Sequence, residues 1–407
     1  MLTLILNIIS LIFILLGIFL YLFLSIKTKD QFPKLAKKSS PPNFCILIPA
    51  RDESRVIENL LISLKNQTMS IPFSNVYVIV EEKKDKTVSI VKKYQANILF
   101  RTNPSHQRKG YALDEAIQQI LPKKYDAYFI FDADNVLDNS YFEQMTKTYL
   151  EGYDIGLCYR NCKNGNANVI ASCSALTFSM INTLSNQRRQ KKNNALTLSG
   201  TGFYVTGSLI DKWQGYPFHT LTEDYELTLY ASFHHFSMNY NDKALLFDEQ
   251  PTTYKVTKTQ RTRWIKGYFE ARKKYLPLLI QKLKDNPKNK PSILLEIVGI
   301  YPIISLLIGF ILFLVNQILN YLSKKISILP LILTLIGVYL ILLVITIYII
   351  KKENHKLSLT KTSQIKAILF NPIYLLSYLP CAFKSFTTKN VTWTKIEHKD
   401  NTLSNHQ

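Results

Sequence analysis

Three apolar runs without a single charged residue constrain this chain more than any other feature: Leu2–Ile26, Ile297–Ser323 and Ile326–Ile350. Each exceeds the roughly 20 apolar residues that a helix needs to cross a bilayer. Lys27, Lys29, Lys34, Lys37 and Lys38 follow the first run directly. A secretory leader carries its positive charge before the apolar stretch. The reversed order predicts a membrane anchor with its N-terminus outside and everything downstream in the cytoplasm. Lys324 and Lys325 separate the second and third runs. A fourth apolar stretch, Ala367–Phe383, is shorter and broken by Pro372 and Pro380, so it reads as a further span or as a re-entrant element at the surface.

Charge points the same way. Lys and Arg number 50 against 29 Asp and Glu, a net +21. Such an excess suits nucleic acid, anionic lipid or phosphorylated ligands. No zinc-finger or RNP-type pattern is present, and much of the lysine flanks apolar runs, which favours a membrane surface and a nucleotide over DNA or RNA. Cys45, Cys158, Cys162, Cys173 and Cys381 are odd in number and form no C-x-x-C pair, so they read as buried small hydrophobes in a reducing compartment.

Between the anchor and the C-terminal runs the pattern changes to short apolar strands alternating with amphipathic helices. Ser39-Ser40-Pro41-Pro42 is a linker. Phe44–Pro49, Val76–Val80, Ala96–Phe100 and Tyr128–Phe131 read as buried strands. Helices are expected from Ala50, over Val88–Tyr94 and over Tyr111–Ile120, with a loop over Arg101–Gly110. Further on, Asp154–Tyr159 and Leu198–Thr206 read as strands, with Gly200 and Gly202 allowing close backbone approach, and Asn168–Lys192 as a polar helix. Thr220 or Thr222 is a candidate N-cap, and the mixed segment Phe269–Leu283 is expected to lie along the membrane face. This alternation predicts an α/β fold with a mostly parallel central sheet, whose ligands bind beyond the carboxyl ends of the strands.

Acidic residues stand at those ends. The run Tyr128–Phe131 stops at Asp132-Ala133-Asp134. Two carboxylates so close repel unless a cation lies between them, and a hard divalent ion shared with a diphosphate is the economical choice. Glu81 or Glu82 ends the second strand, and Glu223-Asp224 lies before a helix. Taken singly, Glu223 and Asp224 are ordinary N-terminal acids of a helix, Lys109 a solvated loop cation, and Arg263 and Trp264 membrane-surface anchors. His106, His219, His234 and His235 show no metal-ligand spacing.

Together these stations carry a resemblance. Ile48-Pro49-Ala50-Arg51-Asp52-Glu53, Arg108-Lys109-Gly110-Tyr111-Ala112-Leu113, Asp132-Ala133-Asp134, Thr222-Glu223-Asp224 and Gln260-x-x-Arg263-Trp264 occur in order over Phe44–Gly267. The sequence resembles the family 2 glycosyltransferases and, among them, the membrane-embedded synthases of cellulose, hyaluronan and poly-β-1,6-N-acetylglucosamine. It departs after the second strand, where many members carry Asp-Asp-Gly-Ser and this chain has Glu81-Glu82-Lys83-Lys84-Asp85. The resemblance implies a GT-A-type nucleotide-sugar-binding domain. By it, Pro49, Arg51 and Glu53 line the base pocket, Glu81 holds the uracil or ribose, and Lys109 sits near the diphosphate. Asp132 and Asp134 contact the nucleotide and a Mg²⁺ or Mn²⁺, with Asp134 the metal ligand. Asp224 is the general base, Gln260 and Arg263 hold the diphosphate, and Trp264 and Glu223 place the acceptor.

The expected layout is a transmembrane helix (1–26), a basic linker (27–43), a glycosyltransferase domain (44–268), an amphipathic interfacial segment (269–292), a C-terminal membrane region of two or three spans (293–386) and a polar tail (387–407). The expected function is inverting transfer of glucose or N-acetylglucosamine from a UDP-sugar to a growing β-linked polysaccharide. The setting is a bacterial plasma membrane, with an accessory membrane subunit or oligomer as possible partner and no nucleic acid. The rival expectations are a single transfer to a polyprenyl phosphate or glycolipid, and a non-catalytic regulator that binds nucleotide-sugars.

Overall fold

The computed structural model describes residues 2–25, 35–103, 105–285 and 290–388. In chain order, α1 (Leu2–Ser25) leads to β1 (Phe44–Pro49), α2 (Ile57–Lys65), β2 (Val76–Val80), α3 (Thr87–Lys93), β3 (Asn97–Phe100), α4 (Lys109–Ile120), β4 (Ala127–Ile130) and β5 (Val136–Leu137). Then come α5 (Tyr141–Leu150), β6 (Ile155–Cys162), α6 (Val169–Met180), a π-helical turn (Ile181–Asn186), α7 (Gln187–Lys191), β7 (Phe203–Thr206), α8 (Gly207–Trp213), α9 (Glu223–His234) and β8 (Met238–Asp248). The chain closes with α10 (Tyr254–Asp285), α11 (Lys290–Val298), α12 (Tyr301–Leu322), α13 (Leu329–Glu353), α14 (Lys361–Leu376) and α15 (Tyr378–Thr387).

The strands form one sheet in the order β3-β2-β1-β4-β7-β6-β8-β5. Its first half is parallel, with Ile48 opposite Val78 and Ile46 opposite Phe129. β7 enters antiparallel to both neighbours, so the sheet is mixed. Parallel strands covered on both faces are apolar throughout, and alternation sorts their side chains into two cores. Cys45, Leu47, Tyr77, Ile79, Tyr128 and Ile130 face one layer. Phe44, Ile46, Ile48, Val76, Val78, Val80 and Phe129 face the other. All five cysteines are buried.

Several expected boundaries move. The helix expected from Ala50 begins at Ile57, because Asp52 takes a left-handed conformation (φ +56°) and residues 50–56 loop over the sheet end. Leu198–Gly202 is loop rather than strand, since Gly200 and Gly202 have φ of +87° and +66°. Thr222 occupies the N-cap of α9, yet its side chain makes no capping bond. The boundary expected at residue 268 falls inside α10, a single helix of 32 residues. Ala271, Tyr275 and Leu279 of that helix pack with Leu229 and Ile293 in a small core of their own. Lys27, Lys29 and Lys34 of the basic linker, and the tail beyond residue 388, lie outside the described residues.

Among the described residues, four helical stretches are long and apolar enough to cross a membrane: Leu2–Phe23, Pro291–Leu322, Leu329–Glu353 and Lys361–Thr387. The first two pack as a close pair. Ser10 Oγ donates to the Gly309 carbonyl at 2.8 Å, Ser305 Oγ to the Phe13 carbonyl at 2.6 Å and Asn316 Nδ2 to Asn7 Oδ1 at 2.6 Å. Helices surrounded by lipid gain little from apolar contact with one another, so small residues and paired polar groups hold such seams. The fourth stretch is interrupted at Ser377, between α14 and α15.

A Cβ on Gly309 would come within 2.9 Å of the α1 backbone, whereas one on Gly337 meets nothing within 4 Å. Gly309→Leu should therefore lower the thermal midpoint of the detergent-solubilised protein, consistent with an overpacking cost of about 1–3 kcal/mol. Gly337→Leu should leave it unchanged. Equal midpoints for both variants would contradict the close α1–α12 seam.

Candidate active site

A cavity of about 470 Å³ opens at the carboxyl ends of β1, β2 and β4. Every expected site residue lines it: Pro49, Arg51, Glu53, Glu81, Lys109, Asp132, Asp134, Glu223, Asp224, Gln260, Arg263 and Trp264. Glu82 is not among the lining residues, and Glu81 pairs with Arg51 Nε at 3.0 Å. These two side chains brace the β1 and β2 ends against each other.

The turn after β4 is fixed by its own polar groups. The Asp132 amide donates to Asn135 Oδ1 at 3.0 Å and to Thr201 Oγ1 at 2.9 Å. Asn135 Nδ2 donates to Asp134 Oδ1 at 3.2 Å, and the Glu249 amide donates to Asp134 Oδ2 at 3.0 Å. Both carboxylates are thus held at the strand end.

Lys109 is no solvated loop cation; it opens α4, with its side chain mostly buried. Its ammonium lies 2.5 Å from Asp132 Oδ1, 2.6 Å from the Gly200 carbonyl and 3.8 Å from Glu223. Burial alone would lower this ammonium, but Asp132 and Glu223 outweigh it and hold it above its ordinary value. Burial would likewise raise Asp132, and Lys109 brings it below the usual carboxylate range. Glu223 is pushed by burial up to about 7, against an opposing pull from Lys109. Burial raises Asp224 as well, although its own helix start and the Tyr225 amide, 2.8 Å from Oδ1, favour the charged form.

α10 brings its motif to the cavity by helical spacing. Gln260, Arg263, Trp264 and Tyr268 fall on one stripe at i, i+3, i+4 and i+8, and all four line the space. Gly267 permits this approach, since a Cβ there would lie 2.6 Å from Thr222 Cγ2 and 2.9 Å from the Thr222 amide. Burial lowers the Arg263 guanidinium, and its Nε has no hydrogen-bond partner within the protein. A buried guanidinium edge without an acceptor is a fitting place for phosphate oxygens.

Several lining residues lie outside the sequence motifs. Arg160 on β6 contacts Asp248 Oδ2 through Nε at 2.8 Å and Nη2 at 2.5 Å, and it lies beside the Asp132 and Asp134 carboxylates. A lone arginine in an apolar strand demands a buried partner, which was the available clue. Thr177, Phe178 and Tyr378 complete the wall beside Trp264. Among the described residues no three His, Cys, Asp or Glu side chains converge as a metal cage. A divalent ion held here by one or two carboxylates would complete its shell with diphosphate oxygens, the usual arrangement for Mg²⁺.

A sheet of this order with carboxylates at its strand ends defines a GT-A-like α/β glycosyltransferase fold. Residues 41–267 match the family profile described as glycosyltransferase like family 2, and the chain belongs to that family. It is 26% identical over 239 residues to a protein of Bacillus subtilis (strain 168) described as "Probable glycosyltransferase YdaM", covering 56% of this chain and 55% of that one. The chain thus spans about half the length of that curated relative. Its fold is similar to that of the mannosyltransferase PcManGT from Pyrobaculum calidifontis, with a TM-score of 0.62 at 13% identity over 95% of this chain and all of that one. A weaker likeness, TM-score 0.43 at 17% identity, is to S. aureus TarS 1-349 in complex with UDP-GlcNAc, over 83% of this chain and 92% of that one.

The Glu223 carboxyl, ordinarily near 4.5, stands at about 7 in the fold. Its contribution to stability is therefore complete below pH 4.5 and is lost as pH rises through about 7. Between about pH 5 and pH 8 the thermal midpoint of the wild type should fall relative to that of Glu223→Gln. Identical pH slopes would show that Glu223 is not the titrating group.

Proposed function

We propose that the chain is an inverting membrane glycosyltransferase that moves a sugar, glucose or N-acetylglucosamine, from a UDP-sugar to a saccharide hydroxyl at the bilayer surface. The observation that carries this reading is the convergence of Asp132, Asp134, Asp224 and Arg263 on one cavity at the strand ends. The family resemblance supports UDP as the nucleotide. Arg51, Glu53, Pro49 and Glu81 would receive the nucleoside, and Gln260 and Arg263 the diphosphate.

Cleavage of the sugar–phosphate bond leaves a diphosphate, so the largest catalytic demand is stabilisation of that charge. Arg263 supplies a fixed cation, and Lys109 neutralises Asp132 so that the anionic donor can approach. Asp134, with Asp132, would hold Mg²⁺ or Mn²⁺, which when bound supplies further neutralisation of the leaving group. PcManGT was solved with GDP-Man and Mn2+, which supports a divalent ion in this fold. Asp224 accepts the acceptor hydroxyl's proton as the new bond forms. One base without a protein nucleophile gives direct displacement, hence a β-linked product from an α-linked donor. Trp264 offers a flat apolar surface to the acceptor sugar, with Glu223 beside it.

The leading acceptor is the end of a growing β-linked polysaccharide. A second reading, single transfer to a polyprenyl phosphate or glycolipid, is favoured by the modest membrane region, at most four candidate spans among the described residues, from which a polymer channel would have to be built. The lysines that follow the first span support a cytoplasmic catalytic domain (44–268), and the Lys-, Ile- and Asn-rich composition supports a bacterial plasma membrane.

Asp224→Asn should reduce transfer by roughly 10²–10⁴-fold, the usual worth of a general base. Calorimetry should show its UDP affinity unchanged. Full activity in that variant, at normal expression, would remove Asp224 as the base.

A further inference from the structure

Arg261 lies on α10 between two cavity-lining neighbours, Gln260 and Arg263, yet it points away from the cavity and is 2% exposed. Its Nη1 donates to the Tyr374 carbonyl at 3.1 Å and to Ser377 Oγ at 2.6 Å. Its guanidinium carbon stands 3.9 Å from the Tyr374 ring centre and 3.8 Å from that of Tyr378. The cation therefore fills the joint between α14 and α15, beside one ring from each helix. Two further contacts fasten α15 to α10: Lys266 donates to the Thr388 carbonyl, and the Phe269 and Phe386 rings lie 5.0 Å apart.

This joint faces the cavity. Tyr378 lines it together with Thr177, Phe178 and Trp264. Phe178 stands edge-on to Trp264, with ring centres 6.1 Å apart at 80°, and the Arg160 guanidinium lies 3.9 Å from the Phe178 ring centre. The result is an aromatic wall assembled from α6, α10 and α15. A sugar ring presents apolar C–H faces bordered by hydroxyls, and aromatic rings with a polar edge suit such a surface.

We infer that Tyr378 is an acceptor-binding residue that forms one wall of the acceptor sugar's subsite, and that Arg261 is the positioning residue that holds it there. This deepens the glycosyltransferase reading and rests on it. The same cation ties the acceptor wall to the helix that carries Gln260, Arg263 and Trp264. A lysine does not reproduce the arrangement, because its compact ammonium cannot approach both rings as the broad guanidinium does while donating to the Tyr374 carbonyl and Ser377 Oγ.

The test uses the full chain in nanodiscs with Mn²⁺, a panel of radiolabelled UDP-sugars and native membrane extract as the source of acceptor. Three quantities are read: UDP affinity by calorimetry, label transferred to acceptor, and free sugar released by donor hydrolysis. Tyr378→Leu keeps an apolar, though smaller, side chain and removes the flat face. It should lower transfer at least tenfold and raise the share of donor lost to water, with UDP affinity within twofold of wild type. Tyr378→Phe should recover most of the lost transfer, and Arg261→Lys should reproduce the Tyr378→Leu pattern. Unchanged transfer in Tyr378→Leu would overturn the inference, and so would a parallel loss of UDP binding, which would mark a purely structural role. If wild type transfers from no donor, the glycosyltransferase reading falls and this inference falls with it.

Discussion

The candidate active-site cavity depends above all on the buried Lys109 ammonium. Lys109 stands between Asp132, at the end of β4, and Glu223, at the start of α9, and also takes the Gly200 carbonyl. Without it, the Asp132, Glu223 and Asp224 carboxylates would share a poorly solvated space with mutual repulsion and a large desolvation cost. Its position at the first residue of α4 makes the helix and the strand ends a single electrostatic unit. The environments of the acids then diverge. Asp132 is held charged, while Glu223 is pushed toward neutrality. Carboxylates with separated proton affinities can take different roles at one pH.

The second constraint is mechanical. α10 touches the Thr222 turn through Gly267 and the α14–α15 joint through Arg261. Its remaining stripe faces the cavity with Gln260, Arg263, Trp264 and Tyr268. One rigid helix therefore sets the distance between the proposed base, the arginine proposed to bind the diphosphate and the apolar C-terminal helices. The boundary expected at residue 268, beside the end of the family match at 267, lies within this helix, because basic and apolar residues mix along its length.

Much of the fold was legible because the physics that selects it is local. Phe44–Pro49 and Val76–Val80 are continuous apolar runs, as parallel strands covered on both faces must be. Charge-free stretches announced α1, α12 and α13. Asp132, Asp134 and Asp224 stood out as acids at element ends. Legibility failed where long-range pairing decides. Arg160 meets Asp248 only because β6 and β8 pair in a register that brings their ends together, and no local pattern encodes that register. Tyr378 reaches the cavity from 114 positions beyond Trp264, through a bend whose only sequence trace is flanking prolines. The Leu198–Gly202 segment looked like a strand by composition, and its glycines instead turn the backbone left-handed beside Asp224.

The central claim is that the cavity performs a single direct displacement, with a carboxylate base and without a protein-bound sugar. The most direct measurement is the anomeric configuration of the product, followed by proton NMR as it forms from an α-linked UDP-sugar. Direct displacement predicts that a β-linked product appears first and remains the sole enzymatic product. An α-linked initial product would contradict it, since retention requires either a covalent intermediate or attack on the face that the leaving diphosphate occupies.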